Sequence, residues 1–154
     1  MMEDLKVALD NLLHSSFKFI RDHYDTVEDI AAYLIDIGLD EMADGFWILD
    51  FRRAEYEYYS PKFRSTLGYE GEHDFPNIPA SWQDIIIGDD VQKKAIDLLY
   101  KHLESDGKVP YMVHCSYPRK EGDEVVDLVC EGSIIIYNED GSPRIMLGKH
   151  HVMK

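Results

Sequence analysis

Apolar positions in the first 44 residues recur every three or four places. Leu5, Leu9, Leu12, Leu13, Phe17, Ile20 and Tyr24 form one stripe with Lys, Asp and Arg between them, which predicts an amphipathic helix over roughly 3–23. Thr26 stands where its hydroxyl can accept from the amide of Asp29, and Ile30, Ala31, Leu34 and Ile37 continue a second helix up to Gly38. From Gly45 the pattern shortens to runs of Trp, Tyr, Phe, Ile and Val between turn residues, the form taken by antiparallel strands. GFWILDF (45–51) and EYEYYS (55–60) are the first two strands. Ser60-Pro61 opens a short helix, with proline at the first position, where its missing amide costs nothing. Asp89 or Asp90, with Gln92 completing a capping box, starts a helix over 91–104 whose apolar face is Val91, Ala95, Leu98, Leu99 and Leu103. It stops at Ser105-Asp106-Gly107.

Three more strands follow, about 110–119, 125–137 and 144–152, turning at Glu121-Gly122-Asp123 and Asn138-Glu139-Asp140-Gly141. In the middle strand Val126, Leu128 and Cys130 alternate with Asp127, Val129 and Glu131, so the sheet is expected to be covered on one side only. Two strands, then helices, then three strands give an α+β fold. Its expected division is a helical segment over 1–40 and a domain over 41–154.

The order of these landmarks resembles the PAS family of sensory domains, with its associated C-terminal strand motif, over roughly 41–152. The resemblance rests on Gly45-Phe46-Trp47 with Asp50, on Tyr59-Ser60-Pro61 leading to Leu67-Gly68-Tyr69, and on Trp82 followed by Asp90. Glu121-Gly122, Glu139-Asp140-Gly141 and Gly148 complete it. The chain departs from the family where Gly88-Asp89 replaces a His-Pro pair and where the closing Asp-Ile-Thr is absent. The resemblance implies a five-stranded antiparallel sheet of order 2-1-5-4-3, short helices on one face, and a sensing or interaction role.

Composition narrows the function. A length of 154 residues holds one domain with a short appendage and excludes a multidomain enzyme. A formal net charge of −14 makes nucleic acid and membrane surfaces poor partners. The N-terminus lacks the order of a signal peptide, and two cysteines without a CxxC spacing fit a reduced compartment, so a cytoplasmic protein is expected.

Candidate chemistry is sparse. Seven scattered histidines show no metal-ligand spacing, and no metal is expected. In haem-binding relatives the resemblance places the iron ligand on the helix that carries His102, but the preferred reading is a helix-end histidine that complements the dipole. The family's flavin photosensors use an Asn-Cys-Arg motif in the helical middle, and the absence of Cys between 61 and 109 is taken to exclude that chemistry. A two-residue turn at Gly122-Asp123 would set Cys115 opposite Cys130 as a redox pair; two small buried hydrophobes is the preferred reading. Of the strand-rich tyrosines, most are read as half-buried strand residues and one or two as pocket lining.

No nucleophile elbow, phosphate loop or kinase signature appears, so no catalytic residues are expected. If a cavity exists, alternation selects Trp47, Tyr58, Tyr111, Leu128, Cys130 and Met146 as its ligand-binding lining. The expected function is a sensor that binds a small molecule or a signalling partner and relays the change through its sheet and N-terminal helices, which also pair two copies into a homodimer. Two rivals are a small cone-shaped enzyme using His114 or Asp127 with a Tyr, and a ligand-free dimerisation module.

Overall fold

The computed structural model describes the backbone of residues 2–153 and the side chains of residues 7, 11 and 13–153. The side chains of Leu5, Leu9 and Leu12 therefore lie outside the described residues. Helix α1 spans Met2–His23 and α2 spans Val27–Asp36, entered through Thr26, whose Oγ1 accepts from the Asp29 amide at 3.2 Å. A single turn, α3 (Leu39–Met42), leads into strands β1 (Phe46–Asp50) and β2 (Tyr58–Tyr59). Ser60 caps α4 (Pro61–Leu67), and a further turn, α5 (Ala80–Gln83), precedes the long helix α6 (Asp89–Glu104). Strands β3 (Tyr111–Pro118), β4 (Val125–Tyr137) and β5 (Pro143–Val152) close the chain.

The sheet is antiparallel throughout, in the order β2-β1-β5-β4-β3. This is the expected architecture, but three local expectations change. The start of α6 is Gly88, with no side-chain cap; Gln92 instead donates from Nε2 to the Gln83 carbonyl at 3.0 Å, tying α6 to α5. The expected strand 55–60 shortens to two residues, because the Glu57 amide turns away to the carbonyl of Asn77.

The third change concerns the sheet's outer face, which is covered as well. Phe46, Ile48, Ile145 and Leu147 point away from α4 and α6, into a core completed by Leu13, Ile20, Val27, Ile30 and Leu34 of α1 and α2. The expectation of one bare face came from the first half of β4, where Asp127 is exposed. Further along, β4 carries a bulge between Ile134 and Ile136, so that consecutive Ile135 and Ile136 are both buried against the helices. Charged contacts fix the same junction. Arg52 of the β1–β2 connection donates to the Asp25 carbonyl at 2.9 Å, Arg53 pairs with Glu28 at 2.8 Å, and Arg144 of β5 pairs with Asp25.

On the inner face one residue sets the spacing. The indole of Trp47 lies flat across β5 onto β4, and its Nε1–H donates to Cys130 Sγ at 3.0 Å. Gly132 and Gly148, paired across the two strands, leave bare backbone beneath the ring. A Cβ on Gly132 would come within 2.9 Å of the ring, and one on Gly148 would fall inside it.

Gly148→Ala is therefore expected to cost about 3 kcal/mol in denaturant unfolding, the upper range for forcing an atom into a packed core. The penalty should be non-additive: paired with Trp47→Leu, the double variant should be at least about 1 kcal/mol more stable than the single effects predict.

Candidate functional site

The inner face and the helices over it enclose a hollow of about 40 Å³. That is room for roughly three water-sized groups. Its floor is strand: Trp47 and Leu49 of β1, Tyr111, Val113, Cys115 and Tyr117 of β3, Cys130 of β4 and His150 of β5. Its roof is Phe63 of α4, Trp82 of α5, and Ala95 and Leu99 of α6, with Glu57 and Tyr59 closing one side.

A carboxyl and an imidazole are buried here. Glu57 is 7% exposed, and its Oε1 accepts from Trp82 Nε1 at 3.1 Å. Loss of water around the carboxyl pushes its pKa up to about 8, against the pull of that hydrogen bond. His150 is 3% exposed, its ring stacked on Phe63 at 4.1 Å between centroids, and its Nδ1 has no hydrogen-bond partner. Burial holds its pKa down to about 3, so the imidazole is neutral. Burial also pushes the Cys115 thiol up to about 11 and raises Cys130, Tyr59, Tyr111 and Tyr117. Every one of these groups is uncharged at neutral pH.

Of the residues selected by alternation, Trp47, Tyr111 and Cys130 line the hollow, and Leu128 and Met146 belong to the same buried cluster without bordering it. Tyr58 is on the other face. It pairs with Ile48 and stacks on Phe46 at 5.8 Å, so Tyr59, opposite Trp47, is the tyrosine that faces inward.

The cysteines are not opposed. Arg119 and Glu124 close the β3–β4 hairpin, which moves its tip one residue back to Glu121-Gly122 and pairs Cys115 with Leu128 and Cys130 with Val113. Both thiols are free and face the hollow as diagonal neighbours.

His102 is outside this hollow, with Nδ1 at 2.7 Å from the Val109 carbonyl. His114 and Asp127 are exposed, Asp127 bonded to Ser116, so the acid and base of the enzyme reading do not converge in the cavity. Among the described residues no group of three His, Cys, Asp or Glu is placed to hold a metal ion, and no helix is long and apolar enough to cross a membrane.

Glu57, Trp82 and His150 escaped the sequence reading as lining residues. Glu57 had a signal: it shares a strand face with Tyr59, two places on, and an acid on a face otherwise buried marks a polar group inside the fold.

A family model described as the PAS fold matches residues 56–150. The chain belongs to the PAS fold family. No curated protein matches it. Among solved structures, this PAS domain is similar to a sensory box histidine kinase/response regulator from Burkholderia thailandensis E264. The two share 22% identity and a TM-score of 0.58 over 78% of this chain and 84% of that one. It is also similar to a light-oxygen-voltage domain studied with a flavin analogue, at 17% identity and TM-score 0.57 over 82% and 85% of the two chains. The light-oxygen-voltage domain of a blue-light activated histidine kinase from Erythrobacter litoralis EL346 matches at 15% and 0.52, over 71% and 94%.

One cofactor expectation is corrected by these matches. The exclusion of flavin-cysteine photochemistry does not stand, because light-oxygen-voltage domains, one of them characterised with a flavin analogue, share this fold. Two thiols, Cys115 of β3 and Cys130 of β4, face the hollow from the strands rather than from the helices.

The buried pair makes stability depend on pH in opposite directions. Glu57, raised above its unfolded value, destabilises the fold progressively as pH climbs from about 4.5 to about 8; His150, depressed, does so as pH falls from about 6.5 to about 3. Thermal unfolding followed against pH should peak between about 5 and 6.5. Glu57→Gln should raise Tm at pH 8 by about 5 °C or more and leave pH 5 nearly unchanged, while His150→Asn should flatten the acid side.

Proposed function

We propose that this PAS domain senses a small molecule in the hollow and relays its presence through the sheet to α1 and α2. The relay ends where those helices meet a signalling partner or a second copy. The observation that carries this reading is the two-sided use of β1 and β5. Trp47 and His150 border the hollow, while Phe46 and Ile48 beside Trp47, and Leu147 farther back along β5, seat the N-terminal helices on the opposite face. A shift of either strand therefore changes both packings together.

Binding signals only if the ligand prefers one arrangement of sheet and helices over another. Val7, Phe19 and Ile35 remain exposed on α1 and α2 and supply apolar surface for a partner to cover. We read the N-terminal helices (1–40) as the output side and 41–154 as the sensing side. The reading assigns no reaction to the domain. In the hollow, burial keeps the thiols protonated and the stacked imidazole of His150 neutral.

Filling the hollow tests the relay without knowing the ligand. Ala95 is buried on its wall, and Ala95→Leu adds three carbons there. Hydrogen exchange by mass spectrometry should show amides of α1 and α2 changing their protection by about threefold or more. A change confined to α6, β3 and the adjoining strands overturns the proposal.

A further inference from the structure

The hollow holds an acid with no cation to match it. Among the described residues Glu57 makes no ion pair; its carboxyl accepts from Trp82 Nε1 at 3.1 Å and lies against the Tyr59 phenol, both of them uncharged partners. The nearest buried guanidinium is committed elsewhere: Arg64 donates to the Phe75 carbonyl at 2.9 and 3.1 Å, the Tyr59 carbonyl at 2.7 Å and Asn77 Oδ1 at 2.6 Å. The walls around Glu57 are aromatic, with the rings of Trp47, Tyr59, Trp82, Tyr111 and Tyr117 bordering the same space. A carboxyl among ring faces is the arrangement that attracts an organic cation, by charge at one end and by ring quadrupoles around it. His150, also on the wall, keeps an unpartnered Nδ1.

We infer that the hollow is a binding site for a small organic ammonium ion, paired with the Glu57 carboxylate and enclosed by the aromatic walls. This deepens the sensor reading and rests on it. The size is set by about 40 Å³, which suits an ammonium of roughly three heavy atoms. The net charge of −14 enriches cations around the whole domain and favours their entry over anions.

Protonation makes the inference specific. The groups facing Glu57 are Tyr59 of β2, Tyr111, Cys115 and Tyr117 of β3, Cys130 of β4 and His150 of β5, with Trp82 of α5 as a neutral donor. Burial keeps the phenols and thiols protonated and the imidazole neutral, so Glu57 is the lining group that changes charge between about pH 6 and 9. At neutral pH the empty site holds the acid form. Binding an alkylammonium then converts the acid to carboxylate and releases its proton to solvent, while the ammonium keeps its own.

Titration calorimetry of the full chain with ethylammonium chloride, and with ethanol as the neutral analogue, tests this in phosphate and in a bulky zwitterionic buffer. The expected result is ethylammonium binding at least tenfold tighter than ethanol, close to one proton released at pH 7, and affinity rising about fiftyfold from pH 6 to pH 8 as the ionised fraction of Glu57 grows. Glu57→Gln matches the neutral acid in shape and keeps the Trp82 partner; with its Tm confirming the fold, it should weaken ethylammonium binding at least tenfold. Equal binding of ethanol and ethylammonium, or an affinity indifferent to pH and to Glu57→Gln, overturns the inference.

Hydrogen exchange of α1 and α2 on the same samples separates the two readings. Proton-coupled ethylammonium binding without a change in those helices upholds the ligand class and overturns the relay. Absence of ethylammonium binding alongside a helix response to Ala95→Leu overturns the ligand class and leaves the relay standing.

Discussion

The architecture depends on one flat contact, the indole of Trp47 laid on the glycine pair Gly132 and Gly148. A ring can lie on a sheet only where side chains are missing, and here two adjacent strands omit them at paired positions. The Nε1–H to Sγ bond with Cys130 then fixes the ring's orientation. Because Trp47 belongs to β1 but rests on β5 and β4, it holds three strands at one spacing. Its indole also forms part of the floor of the hollow, whose volume is about 40 Å³. The same residue thus sets the sheet's geometry and borders the space the domain encloses.

A five-residue strand cannot serve two faces independently. Along β1, Phe46, Ile48 and Asp50 point toward the N-terminal helices and their ion pairs, while Trp47 and Leu49 point toward the hollow. Strand alternation therefore couples the two cores through the backbone alone. The polar ties from Arg52, Arg53 and Arg144 to Asp25 and Glu28 add a second link at the α1–α2 corner, where a displacement of β1 or β5 reaches the helices without passing through α1's packing.

The two N-terminal helices with the Thr26 cap, the helix opening at Ser60-Pro61 and the long helix α6 were legible in the sequence because each follows from hydrophobic period, turn residues and side-chain acceptors. The strand order came with the family resemblance, and the single turns α3 and α5 are too short to carry a periodic signal. What failed was set by register and by distant partners. Tyr58 and Tyr59 are chemically alike, and only the pairing of Tyr59 with Trp47 decides which faces inward. A hairpin tip displaced by one residue moved the pairing of Cys115 by two places. The covered outer face was hidden because Ile135 and Ile136 owe their joint burial to a bulge, which breaks the alternation from which faces are read. Trp82 and His150 are 68 residues apart, and nothing in either local pattern places them around Glu57.

The hollow is also where the domain forgoes stability. An apolar side chain at position 57 would remove the cost of a buried carboxyl, and a second phenylalanine at 150 would stack on Phe63 with no nitrogen left unpartnered. Arg64, buried nearby, is matched by two main-chain carbonyls and Asn77. The buried carboxyl of Glu57, with no cation, and the unpartnered Nδ1 of His150 both border the hollow that Trp47 shares with β5. A ligand that supplies the missing partner would recover the deficit in the bound state only, giving the hollow a difference in free energy between empty and filled forms. That difference, delivered at β1 and β5, is what a relay through the outer helices requires.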